Sequence, residues 1–209
     1  MGRSWVRPED FAVSGALHER KQHVGKGKVI AGMTMSLDGF VADADGNVDR
    51  LYADLADLQG TPYMTATIAE TGAVIMGRKA FEMGDPDSWV GTYEFQVPIF
   101  VLTHHPPRIP PKQDDRLTFT FVVDGVASAV AQAKAAAGDK AVQVIGGANV
   151  IQQQLQAGLV DELHIDVMPL FLGDGLRLFE HAALDRIDLE TIGVETVGQR
   201  TGLRFRIVR

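Results

Sequence analysis

Cysteine is absent from the 209-residue chain. That excludes disulfide staples, thiolate nucleophiles, zinc ribbons and cysteine-ligated iron–sulfur clusters together. Long apolar runs are missing as well. The longest obvious one, Val97–Leu102, spans six residues, against the roughly 18–20 that a membrane-spanning helix requires. The amino terminus carries no apolar signal-peptide core, so a cytoplasmic protein with no membrane partner is expected. Positive charge is scarce: 20 Lys and Arg against 27 Asp and Glu leave a net −7. Nucleic-acid binders usually lean the other way, and no nucleic-acid partner is expected. The shortage is uneven. Through Lys28 there are six basic and three acidic residues, net +3, so the remainder carries −10 of the total −7. A basic arm on an acidic body suits a solvated or subunit-contacting tail.

What is present is enough apolar material for a core, 45% of residues, and wholesale disorder is excluded. Without thiols, any chemistry falls to carboxylates, histidines, hydroxyls, backbone amides or a bound cofactor. Residues 1–27 show no sustained period and end in the linker-like Gly25-Lys26-Gly27. Residues 28–209 read as one domain in which apolar runs alternate with helical patterns. Val29–Met35 reads as a first strand, followed by the turn-like Asp38-Gly39 and by Phe40–Ala42. Leu51, Leu55 and Leu58 mark one face of a short helix. Thr61 caps a second helix with Pro62 at its first position, and Gly72 stops it. Ala73–Met76, Pro98–Thr103, Leu117–Val123 and Ala141–Ile145 read as strands. Asp124 caps an alanine-rich helix running to Gly138, and Asn149–Gln156 is another helix. Leu163–Leu172 is a strand carrying Pro169. Leu189–Val197 and Leu203–Val208 form a closing hairpin around Gly198–Gly202. This order predicts a single three-layer α/β/α domain, a mostly parallel sheet with an antiparallel C-terminal hairpin.

Three strand ends carry candidate chemistry. At Ile145-Gly146-Gly147-Ala148-Asn149-Val150 a buried strand opens through two glycines directly into a helix. Unpaired amides at such a start favour an anion, although a tight turn needing positive φ explains the same residues. The dinucleotide fingerprint G-x-G-x-x-G is not matched, and Arg78-Lys79-Ala80 fails the Walker pattern. At Met76-Gly77-Arg78-Lys79 two cations stand at a helix start, where they oppose the macrodipole unless an anion, or Glu82 or Asp85, relieves them. Leu102-Thr103-His104-His105 is the third strand end. The two histidines diverge and lack a partner at i+3 or i+4, so no metal is expected. Trp89 reads either as a cap on the cleft or as a surface-packed aromatic.

Ser36-Leu37-Asp38-Gly39-Phe40-Val41-Ala42, Met76–Glu82, Val101-Leu102-Thr103 and Ile145-Gly146-Gly147-Ala148 occur in that order and resemble the dihydrofolate reductase-like superfamily. Asp161–Ile165 and Pro169–Phe179 are more narrowly similar to the C-terminal reductase domain of the riboflavin-biosynthesis deaminase-reductase. The resemblance runs from about Lys28 to Arg209. It implies an NADPH-dependent reductase acting on a small heterocycle of pyrimidine or pterin type, such as 5-amino-6-(5-phosphoribosylamino)uracil, or a dihydrofolate reductase-like activity. By resemblance Arg78 and Lys79, beside Gly77, meet the adenosine 2′-phosphate and the pyrophosphate. Leu102, Thr103 and His104 line the adenosine side, and Gly146, Gly147, Ala148, Asn149 and Val150 hold the pyrophosphate. The nicotinamide is expected near Ala31 and the Asp38–Ala42 segment. Asp38 is the candidate catalytic group, a proton donor if burial raises its pKa, or else a turn residue. Phe40, Met168 and Leu172 are candidate substrate contacts, or plain core. Residues 47–58 contain no Trp, and Asp49, Asp54 and Asp57 read as solvated. The resemblance also implies a homodimer. The competing reading is a non-catalytic nucleotide-binding scaffold that keeps the fold without the chemistry.

Overall fold

The structure, a computed structural model, describes residues 27–180 and 184–209. The expected arm falls almost wholly outside them. Ten strands occur among the described residues: β1 (Val29–Ser36), β2 (Phe40–Ala42), β3 (Thr71–Gly77), β4 (Ile99–Leu102), β5 (Phe119–Val122), β6 (Ala141–Ile145), β7 (Glu162–Met168), β8 (Leu176–Arg177), β9 (Asp188–Val197) and β10 (Arg200–Val208). Five α-helices accompany them: α1 (Leu55–Leu58), α2 (Pro62–Glu70), α3 (Arg78–Glu82), α4 (Val126–Ala137) and α5 (Ala148–Gln156). Eight strands form one sheet in the order β5-β4-β3-β6-β1-β7-β10-β9, and β2 pairs with β8 apart from it. From β5 to β7 every pairing is parallel, whereas β10 runs antiparallel to both β7 and β9. The expected architecture is the one observed.

Side-chain alternation along the strands divides the core in two. Ala73 and Ile75 of β3 join Val142 and Val144 of β6 beneath Ala129, Val130 and Ala133 of α4 and Ile151 of α5. Val74 and Met76, one residue out of step, face the other way onto Phe81 of α3 together with Ile99, Val101 and Phe119. Both faces of β3 are therefore buried, as an apolar run without polar alternation requires. Fully burying each such aliphatic side chain contributes roughly 1.5–3 kcal/mol.

Local chemistry accounts for most element boundaries. Thr61 Oγ1 accepts from Met64 N at 3.2 Å and Pro62 fills the first position of α2. Several expected boundaries move. Gly72 does not end α2 but lies inside β3, where a Cβ would stand 2.7 Å from the Ala137 carbonyl oxygen, so glycine admits the end of α4. The residue preceding α4 is Gly125 at φ +102°, with no side-chain cap, so Asp124 stands one place too early to cap it. Strand β7 stops at Met168, because Pro169 has no N–H to continue the ladder. The closing hairpin turns on Gly198 and Gln199 alone, Arg200 already pairing with Val197. Leu51 and Leu58 are buried, but Leu55 is exposed, because a 3₁₀ turn at Asp49–Leu51 precedes a one-turn α1.

Candidate functional site

Strands β3 and β6 are parallel neighbours, so their carboxyl ends lie side by side. The chain leaves them in opposite directions: β3 continues through α3 to β4, and β6 continues through α5 to β7 beyond β1. Phe81 of α3 packs on one face of the sheet and Ile151 of α5 on the other. Strand ends at which the chain diverges in this way are the usual ligand position in an open α/β sheet.

The two glycine-opened turns meet at these strand ends. Gly77 N donates to the Gly146 carbonyl at 3.4 Å. A Cβ on Gly147 would lie 3.6 Å from Gly77 Cα, and one on Gly146 would lie 2.6 Å from Ala80 Cβ. Gly146 and Gly147 adopt φ of +82° and +87°, which other residues enter only under strain. Close packing of the turns thus accounts for part of the glycine requirement. Ahead of α5 no side chain caps the helix, so the first-turn amides at Ala148, Asn149 and Val150 have no intrahelical acceptor. Ala148 and Val150 bury their side chains, while Asn149 is exposed. Apart from the exposed Asn149 amide, these residues offer an anion main-chain N–H groups, and that donor set suits phosphate oxygens.

Arg78 and Lys79 are both exposed beside this start. Arg78 Nη1 lies 3.0 Å from Glu82 Oε1 in an i,i+4 ion pair, each side chain about half exposed. The tension anticipated from two cations at a helix start is therefore already eased, since α3 is only five residues long and supplies its own carboxylate. An exposed pair of this kind contributes about 0–1 kcal/mol and exchanges readily for a stronger anion. Leu102 pairs with Gly77 across β4 and β3, which brings the third strand end alongside. Thr103 is buried, and its hydroxyl closes a turn on the backbone of His105 at 3.0–3.1 Å. His104 and His105 are exposed. Ala31 is fully buried at the register of Val144 and Leu163, so its side chain presents no open surface.

The condition attached to Asp38 is not met. Its carboxylate accepts from Leu172 N at 3.1 Å and Gly173 N at 2.7 Å. The Ser36 hydroxyl beside it and these two amides hold the carboxyl at about 2, below its ordinary range and against the upward pull of desolvation. It is an ionised acceptor with no proton to give at neutral pH. Phe40 and Met168 are 4% exposed and belong to the packed interior, whereas Leu172 is half-buried. Trp89 stacks on Tyr93 at 4.7 Å between ring centroids and meets Phe81 edge-on, as part of the second core cluster.

A buried ionic network escaped sequence reasoning. Asp54, read as solvated, is 7% exposed and takes three hydrogen bonds from Arg200, the shortest 2.6 Å. Arg200 also reaches Thr34 Oγ1 at 2.8 Å. Asp166 stands 2.9 Å from Arg204 and accepts from Tyr63 Oη at 3.1 Å. The Arg200 guanidinium holds the Asp54 carboxyl below its usual range. Alternation with the core-packed Leu203, Phe205 and Ile207 puts Arg200, Arg204 and Arg206 on the other face of β10, which reads as solvated, yet Arg200 and Arg204 are buried there. Among the described residues no cluster of His, Asp or Glu could hold a metal ion, and no helix is long and apolar enough to cross a membrane.

Comparison with known proteins bears on the fold and the family. The uncharacterized protein YwjB of Bacillus subtilis is 28% identical over 178 residues, covering 85% of this chain and 97% of the relative. A putative riboflavin biosynthesis protein from Shewanella sp. PV-4 shares the fold with a TM-score of 0.70 at 24% identity, over 87% of this chain and 99% of that one. The diaminohydroxyphosphoribosylaminopyrimidine deaminase/5-amino-6-(5-phosphoribosylamino)uracil reductase of Thermotoga maritima aligns with a TM-score of 0.67 at 15% identity, covering 88% of this chain but 57% of that larger one. Dihydrofolate reductase from Enterococcus faecalis, in complex with NADP(H), aligns with a TM-score of 0.57 at 16% identity, over 88% and 98% of the two chains. The match to the family model for the RibD C-terminal domain runs over residues 27–203, and the chain belongs to that family, with a fold shared by dihydrofolate reductase.

Proposed function

We propose that this protein is an NADPH-dependent reductase that delivers a hydride to a small planar heterocycle of pyrimidine or pterin type. The observation carrying this reading is the contact of Gly77 with Gly146 and Gly147, which sets two exposed cations beside an uncapped helix start at one end of the sheet. The donor set fits a dinucleotide. The main chain of Gly146, Gly147, Ala148, Asn149 and Val150 is suited to a pyrophosphate, and Arg78 and Lys79 to an additional phosphate on the adenosine side. When bound, the nicotinamide supplies the hydride. The chain's share is to hold that ring, orient a flat acceptor against it and exclude water.

Melting temperature tests the assignment directly. NADPH at about 100 times its Kd adds about 2.7 kcal/mol to the folded state, and NADH at the same concentration adds less. Equal shifts, or no shift with either, reject the reading. The state of Asp38 favours one competitor, a nucleotide-binding scaffold without turnover, since the acid expected beside the nicotinamide is ionised and engaged. That competitor binds NADPH as tightly, yet oxidises none of it with any pyrimidine or pterin offered.

A further inference from the structure

Two loops that lie far apart in sequence are tied together at the carboxyl end of the sheet. The β1–β2 turn holds Asp38 and Gly39, and the segment after β7 holds Leu172, Gly173, Gly175 and Arg177. Each Asp38 carboxylate oxygen accepts one backbone amide, from Leu172 at 3.1 Å and from Gly173 at 2.7 Å. Arg177 Nη1 donates to the Asp38 carbonyl at 3.1 Å, and its guanidinium lies 4.2 Å over the Phe40 ring. Leu178 N donates to the Gly39 carbonyl at 3.2 Å. At Gly175, with φ +137°, a Cβ would land on the Ala42 carbonyl, so the two backbones touch. The second loop is joined in turn to the phosphate cradle. Gln152, one turn into α5, donates from Nε2 to the Leu178 carbonyl at 2.7 Å.

The geometry points to Asp38 as a positioning residue: its carboxylate is a latch that fixes the 172–175 loop on the β1–β2 turn and joins both, through Leu178 and Gln152, to the helix of the diglycine cradle. This inference rests on the reductase reading for its catalytic consequence, but not for the latch itself. A carboxylate with both oxygens on main-chain amides does not travel to a substrate and back without releasing the loop. It acts as a fixed anion, and the property it controls is where the two loops stand relative to the bound cofactor. A displacement of about 1 Å in such a wall is enough to cost roughly a hundredfold in rate.

Amide hydrogen exchange in the ligand-free protein tests the latch. In Asp38→Ala the amides of Leu172 and Gly173 exchange about tenfold faster, the equivalent of one lost hydrogen bond. In Asp38→Asn, which keeps one acceptor oxygen, they fall between. Amides of β3 and β6 keep their protection in both variants, which shows that the fold survives. Unchanged exchange at 172 and 173 in Asp38→Ala overturns the latch, whatever the enzyme does. With turnover, Asp38→Ala lowers kcat about tenfold or more while the Kd for NADPH stays within about twofold, because the α5 amides are untouched. Asp38→Asn recovers a large part of kcat and keeps the wild-type pH profile. An Asp38→Asn protein as inactive as Asp38→Ala, with the acidic limb of the profile altered, overturns the positioning role in favour of proton donation. If wild-type protein binds NADPH but reduces no heterocycle, the reductase reading fails while exchange still decides the latch.

Discussion

At the end of β6 two consecutive glycines, at φ +82° and +87°, carry the chain into a nine-residue helix. At the end of β3 a single glycine, extended at φ −83°, carries it into a helix of five. The first turn offers amides and no charge. The second offers two cations and almost no helix. Neither makes a phosphate site by itself, since main-chain donors without charge discriminate little between anions, and exposed cations without a fixed frame are screened. Their contact makes the difference, because the sheet order places β3 beside β6. Shape comes from one turn and charge from the other.

The largest blow to this division of labour is Gly146→Ala. The new Cβ meets Ala80 at 2.6 Å in a left-handed conformation, which costs about 2–4 kcal/mol and separates the turns. NADPH binding is lost with it. Gly77→Ala has only the 3.1 Å approach to Val150 Cγ2 to relieve and no positive φ, so it costs about 1 kcal/mol. Denaturant midpoints of the two variants rank them, and equal losses would break the comparison.

Arg78→Ala acts on charge alone. Stability changes by less than about 0.5 kcal/mol, since the Glu82 pair is exposed. NADPH affinity drops about tenfold and NADH affinity hardly moves; titration calorimetry with both nucleotides reads the ratio. The smallest effect is Glu82→Gln, which releases Arg78 from its present partner. NADPH then binds about twofold tighter, by removal of a competing carboxylate. Weaker binding in this variant would mean that Glu82 orients Arg78 rather than occupying it.

The fold was legible in the sequence because its strands are short, apolar and punctuated. Val74–Met76 and Val142–Val144 could hardly be read otherwise, and Thr61-Pro62 marks its helix start unmistakably. The contact between Gly77 and Gly146 was legible less directly, through the logic of two strand ends that open alike and through resemblance. Partners beyond the local window were not legible. Asp54 looked solvated because its neighbours Asp49 and Asp57 are exposed, and nothing within ten residues announces Arg200. Asp38 reads in the sequence as a turn residue or as an acid awaiting burial, because its two acceptor bonds come from amides 134 and 135 residues away. Main-chain donors leave no trace in side-chain identity, and Gly173 and Leu172 could have pointed anywhere.

The tie between Asp54 and Arg200 spans 146 residues. During synthesis the carboxylate leaves the ribosome long before its guanidinium exists, and β1, at the middle of the finished sheet, must wait for β6 and β7 to arrive on either side. A chain cut short before the last hairpin would carry a buried anion without a counter-ion, a penalty of several kcal/mol. Synthesis of β10 is thus the step at which Asp54 first gains its counter-ion, however early the rest of the sheet has been laid down.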